Sequence, residues 1–332
     1  QVRTVILTYC DKQSLESQVK VLRQKSLYII LEATSEEEAR AGEELGVDGI
    51  IAKGNEAGGR VAEESTFILL QHLVKHFSLP IWAHGGVGLY TAAACYAAGA
   101  VGIVLDWQLA LVRESSLSEE IKKRIAHMDG TESQCVGQRL GQGYRMYLRP
   151  GTPCISELRE QEFRFGSIKN QIEQLKQWRD LIVQHVAEDR SNDLLLLGQD
   201  IAFAVALSKR FRTVAGVLDG IRRSIISHCE VAKRLQPLKE GSALAKAHGT
   251  KYPIVQGPMN RVSDMPAFAL SVAEGGGLPF IALGMMTTEE IEPILRETTT
   301  LLGDRPWGVG LLGFISEELL KKQMELIRKF RP

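Results

Sequence analysis

The sequence predicts an α/β fold made of βα units around a parallel sheet, and three observations carry that prediction. Short β-branched or aliphatic runs alternate with helical patterns from residue 1 to about 113, and the same rhythm returns from Tyr252. The runs number five and then three, together the eight that a closed barrel needs. Glycine triplets and Gly-Pro turns stand at the strand ends, where a barrel brings backbone close to a ligand.

The five strands of the first region are expected at Val5 to Tyr9, Tyr28 to Glu32, Gly49 to Lys53, Pro80 to Ala83 and Gly102 to Asp106. A helix from Ser35 to Leu45 opens on Ser35-Glu36-Glu37-Glu38, a capping serine followed by acids that suit the positive end of the helix dipole. Residues 114–250 change character and read as a mostly helical linker or insertion. Charged, Gln-rich helices span Ser118 to Met128, Ser167 to Ala187 and Ala215 to Gln236, around a strand-like piece from Tyr144 to Leu148 closed by Arg149-Pro150-Gly151. Residues 251–332 return to βα units, with strands at Pro253 to Met259, Leu278 to Leu283 and Trp307 to Leu312. Helices separate them at Met265 to Glu274 and Thr288 to Leu302, and a third runs from Ser316 to Phe330.

With 332 residues and 44% hydrophobic content, the chain buries a full core. Forty basic residues balance forty acidic ones, which leaves no global field to attract nucleic acid or a membrane surface. No apolar run reaches the roughly 18 residues of a membrane span. The five cysteines are widely spaced and lack metal or disulfide spacing, which fits a reducing cytoplasm. Gln1 is not an initiator and the last helix stops at Pro332, so the chain is expected to be an excerpt of a longer polypeptide.

The most specific stretch is Asp48-Gly49-Ile50-Ile51-Ala52-Lys53-Gly54-Asn55-Glu56-Ala57-Gly58-Gly59-Arg60. It resembles the sixth-strand motif of the nitronate monooxygenase, or 2-nitropropane dioxygenase-like, family, which includes flavin-dependent enoyl reductases. Ser35 to Arg40 with Gly46-Val47-Asp48 resembles the unit before it. Pro80-Ile81-Trp82-Ala83-His84-Gly85-Gly86-Val87 and Ala98 to Val104 resemble strands 7 and 8, where the family holds the FMN phosphate. Tyr252 to Met259 with Gly275-Gly276-Gly277-Leu278 resembles strands 1 and 2, where backbone lies along the flavin ring. The resemblance implies a TIM (β/α)8 barrel of the FMN-dependent type with its strands in the order 4 to 8 and then 1 to 3. Two arrangements give that order: a tandem of family barrels cut across its linker, or a circularly permuted barrel.

It also implies candidate residues. Lys53, Gly58, Gly59, His84, Gly85, Gly86, Asp106, Trp107, Gln256, Gly257, Pro258 and Met259 fall at cofactor positions, and Arg60 and Glu56 at catalytic ones. FMN is the implied cofactor, with NAD(P)H as reductant. The implied substrate is a small molecule or a carrier-bound acyl chain. The implied partners are other domains of a polyketide or polyunsaturated lipid synthase.

Three positions depart from the family pattern. Arg60 stands where the family has a histidine, and a guanidinium that stays protonated cannot abstract a nitroalkane proton. It retains the capacity to bind an anionic group or to stabilise developing negative charge. Asp106-Trp107 replaces a Gly-Thr phosphate contact, which sets a carboxylate beside a dianion. Gly310 stands where the strand-3 motif often has asparagine.

The plainer structural readings are specific as well. The glycines fit tight βα turns, Arg60 a rim salt bridge, Lys53 and Glu56 a mutual surface ion pair, His84 a satisfied strand-end residue and Cys95 a small core side chain. A competing class for the whole chain is a flavin-free barrel kept for binding or scaffolding.

Overall fold

The computed structural model describes residues 2–147, 153–165, 171–188 and 195–332. Its contacts divide the chain into two compact units, Gln1–Cys229 and Glu230–Pro332.

The first unit is organised by a five-stranded parallel sheet. Its strands are β1 (Thr4–Thr8), β2 (Tyr28–Ala33), β3 (Gly49–Lys53), β5 (Ile81–His84) and β6 (Gly102–Val104), and they neighbour one another in that order. Every pairing is parallel, as βα crossovers require. β2, β3 and β5 are buried along most of their length, and Ile50, Ala52, Ile81 and Ala83 pack against Leu69, Leu70 and Leu73 of the helix Thr66–His76. Cys95 closes the same core. The helix Glu36–Leu45 begins where its capping signal places it, with the Ser35 hydroxyl accepting from the Glu38 amide.

A second, antiparallel sheet has the order β4-β8-β7, with β4 at Gly59–Val61, β7 at Ser133–Val136 and β8 at Gly143–Tyr147. Val136 and Met146 bury one face against Leu158, Trp178 and Ile182 of the helices Pro153–Phe165 and Gln171–Glu188. The strand-like piece expected at Tyr144 to Leu148 is β8 as far as Tyr147. Leu148 and Arg149-Pro150-Gly151 lie outside the described residues, as does the start of the helix expected from Ser167. The sheet joins a strand from the sixth-strand motif to two strands about 80 residues later, a pairing that no local pattern signals.

The second unit holds β9 (Phe280–Ala282) and β10 (Gly308–Gly310), parallel, with the helices Pro266–Glu274, Thr288–Leu302 and Glu317–Phe330. Its core is Ala269, Ile281, Leu283, Ile291, Leu295 and Leu302. The expected strand from Pro253 to Met259 reduces to a single parallel bridge, Val255 to Leu278. Prolines at 253 and 258 have no N–H to give a ladder. The Gln256 side chain stands in for the missing bonds, accepting the Phe280 amide at 3.0 Å and donating to the Phe280 carbonyl at 3.3 Å. Among the described residues, no helix is long and apolar enough to cross a membrane.

Candidate functional site

Parallel strands leave their last residues side by side, so whatever polar groups occupy those positions must answer one another. At the carboxyl ends of the five strands stand Thr8, Glu32, Lys53, His84 and, two residues beyond β6, Asp106. They form one chain of contacts. The Thr8 hydroxyl donates to Glu32 at 3.1 Å, and Lys53 Nζ lies 3.4 Å from both Glu32 oxygens. His84 Nδ1 is 3.6 Å from Glu32, and His84 Nε2 is 3.1 Å from Asp106 Oδ2. The His84 side chain is only 5% exposed, so these charges meet with little water between them.

The electrostatics follow from burial and pairing. Burial raises the Glu32 pKa, but the nearby His84 ring and the charge of Lys53 outweigh it and hold the group at about 2. Burial works against charge on His84 too, and the hydrogen bond to Asp106 with the nearby Glu32 carboxylate reverses it, raising its pKa. Asp106 is held below the usual carboxylate range because His84 outweighs its desolvation. Asp200 takes the opposite course. Desolvation, with the Asp106 charge nearby, pushes it up to about 8, so it carries a proton at neutral pH.

Asp200 arrives from a 3₁₀ turn, Gln199–Phe203, and is almost wholly buried. Gln108 ties it in, donating to Asp200 Oδ2 at 3.0 Å and to the Val87 carbonyl at 3.1 Å. The segment just before it covers Gly58 of the sixth-strand motif. A Cβ on Gly58 would lie 2.2 Å from the Leu196 carbonyl oxygen, and that oxygen accepts the Trp107 indole N–H at 2.8 Å.

Arg60 lies on β4, opposite Tyr144 of β8, and its guanidinium grips the Glu38 carboxylate with both terminal nitrogens. Both side chains are about 10% exposed. Glu38 also accepts the Thr34 amide at 2.8 Å, so the pair is anchored to the end of β2. Glu56 turns to the helix Thr66–His76, where one carboxylate oxygen accepts both the amide and the hydroxyl of Thr66 at 2.9 Å. Lys53 and Glu56 therefore have separate partners, and the mutual ion pair of the plainer reading does not form. Gly85 and Gly86 adopt φ of 118° and 63°, and a Cβ on Gly85 would lie 2.7 Å from the Thr66 hydroxyl. Gly59 also has positive φ, at 73°.

Gln256, Gly257, Pro258 and Met259 belong to the second unit. There Pro258 presses on Gly310, where a Cβ would lie 2.2 Å away, which accounts for the missing side chain at Gly310. Met259 is exposed, and its amide donates to Ser263 at 2.8 Å.

The structure thus gathers Lys53, His84 and Asp106 into one cluster, and sets Glu56, Gly58 and Trp107 around the segment at Leu196. Sequence reasoning missed Glu32, Glu38, Gln108 and Asp200. A carboxylate in the apolar run Tyr28-Ile29-Ile30-Leu31-Glu32 was a usable signal for the first. Asp200 carried none.

Comparison with known proteins agrees with this architecture. The nitronate monooxygenase family model matches residues 1–208 and 241–329. A protein named probable nitronate monooxygenase from Staphylococcus aureus (strain MSSA476) is 30% identical over 129 residues, 36% of this chain and 36% of that protein. A namesake from Staphylococcus haemolyticus (strain JCSC1435) is 28% identical over 130 residues, 35% of this chain and 36% of that protein. The chain therefore aligns with little more than a third of the length of these relatives.

Among solved structures, FabK from Thermotoga maritima superposes with a TM-score of 0.56 at 21% identity, over 70% of each chain. The enoyl reductase domain of MlnA from Bacillus amyloliquefaciens does so with a TM-score of 0.50 at 12% identity, over 71% of this chain and 83% of that one. At such identities the likeness speaks for the fold, which is the TIM-barrel class. With a family model matched over most of its length and polar groups gathered at the carboxyl ends of its parallel strands, the chain belongs to the nitronate monooxygenase family.

Proposed function

We propose that this chain is a barrel module of an oxidoreductase, of the enoyl-reductase rather than the nitroalkane-oxidising type. In this reading it works on a small-molecule or carrier-bound acyl chain beside other modules of a polyketide or lipid synthase. The observation that carries it is the Arg60–Glu38 pair. A general base needs a lone pair, and a guanidinium held against a carboxylate offers none. The charge of Arg60 is raised further in persistence by Glu38, against a burial that disfavours it. A solved enoyl reductase domain with this fold supports the compatibility of the architecture with that chemistry.

FMN is the group that family membership implies, and it would supply hydride transfer, with NAD(P)H as its reductant. The residues fit it on one side only. After β5, Gly85 and Gly86 bring backbone to the strand end in left-handed conformations. After β6, the main-chain amides of Asp106 and Trp107 are already bonded to side chains, and an ionised carboxylate stands among them. That same loop favours a second reading, a barrel kept for binding or scaffolding.

The two readings separate on the purified chain. The oxidoreductase reading expects an absorbance near roughly 450 nm, as purified or after adding flavin, with bleaching by NAD(P)H and no turnover of nitroalkanes. A colourless protein that takes up no added flavin would sink it, and brisk nitroalkane turnover would overturn the argument from Arg60.

A further inference from the structure

The loop after β6 supplies its own anion. Asp106 Oδ1 accepts the Trp107 amide at 2.5 Å, and the Asp106 amide donates to Gln108 Oε1 at 2.7 Å. The other Asp106 oxygen takes His84 Nε2 at 3.1 Å. Gln108 then fastens the loop from behind, to the Val87 carbonyl and to Asp200. In a barrel, the loops after the seventh and eighth strands turn main-chain N–H groups toward a ligand phosphate. Here β5 and β6 hold those two places, and the Asp106 and Trp107 amides of the second loop are committed to an amide oxygen and a carboxylate from the same three residues. A phosphate arriving there would have to break the bond to Trp107 and sit beside a like charge.

We propose that Asp106 is an internal stand-in for a ligand phosphate, so that this chain takes flavin without preference for its phosphorylated form, and that this one side chain sets the preference. The inference rests on the flavoprotein reading above. His84 and Lys53 balance Asp106 and Glu32 within the cluster, while Asp200 is neutral. Removing Asp106 would therefore take away the like charge that repels a phosphate and free the Trp107 amide to donate to one, with the Lys53 ammonium still in the cluster.

The test is a titration of the full chain with FMN and with riboflavin, which lacks the phosphate, followed by quenching of flavin fluorescence. Wild type is expected to bind both within about threefold of each other. Asp106→Gly, which removes the charge and frees the amide, should shift the ratio toward FMN by about tenfold or more, the scale of one unscreened charge contact. Asp106→Asn removes the charge but keeps an acceptor for Trp107, so it should fall between, and it carries the test if the glycine variant does not fold. A wild type that already prefers FMN tenfold, or variants that leave the ratio unchanged, overturns the proposal while leaving the flavoprotein reading intact. Failure of either flavin to bind any folded variant overturns both.

Discussion

A guanidinium with a tenth of its side chain exposed must have its charge answered, and at Arg60 one carboxylate does it. Glu38→Gln keeps the shape and removes the charge, leaving a buried cation unpaired, so a loss of about 3–5 kcal/mol in unfolding free energy is expected. Urea denaturation of the two proteins reads it, and a loss under about 1 kcal/mol would mean that the pair behaves as a surface one. Asp200 makes the pH prediction. Its carboxyl moves from an ordinary 3.8 to about 8 on folding, so between those values the folded state holds a proton that the unfolded state has lost. Stability contributed at this site therefore falls as pH rises through that window. Asp200→Asn removes the slope, and its advantage over wild type in urea midpoint should grow steadily from about pH 5 to about pH 8. Parallel curves would refute the assignment. Glu32, held at about 2, acts in the opposite sense and only on the acid side, so it does not mask the effect.

At the scale of elements, the segment at Leu196 is what closes the sixth-strand loop, and Gly58 is the point of closest approach. Gly58→Ala would place a methyl 2.2 Å from the Leu196 oxygen, so the segment must move. A cost of about 1–3 kcal/mol is expected, with faster limited proteolysis around residues 195–203. Unchanged cleavage would show that the loop yields instead. Elements with local signals stood open to reading: Ser35 caps its helix, and β3 spans Gly49–Lys53 as its aliphatic run predicts. Of the antiparallel sheet only β8 was, because β4 and β7 are three and four residues long and β4 meets its partner only about 80 residues later in the chain. The strand expected at Pro253 to Met259 was overread, since apolar content does not supply the N–H groups that its prolines lack.

At the scale of the whole molecule, the alternation of βα units and the glycine-rich strand ends were enough to name the barrel class, and the resemblance of the motifs at residues 48–60 and 80–87 named the family. Hydrophobic periodicity and turn chemistry are local properties, and a chain cannot hide them. They also placed Lys53, His84 and Asp106 at strand ends, because the parallel sheet sets its last residues in a row. What the sequence could not determine was the partner of each charge. Arg60 faces Glu38, 22 residues away, and Gln108 meets Asp200, 92 residues away. Such pairs depend on how buried surfaces close over one another, and the cost of leaving a charge unanswered is decided only there. The sequence by itself determined the barrel class, through its motifs the family, and several of the residues at the carboxyl ends of the parallel strands. The tertiary structure decided that the Arg60 charge is paired with Glu38, that Asp200 keeps its proton, and that the Trp107 amide is taken by Asp106, since burial and proximity set those outcomes.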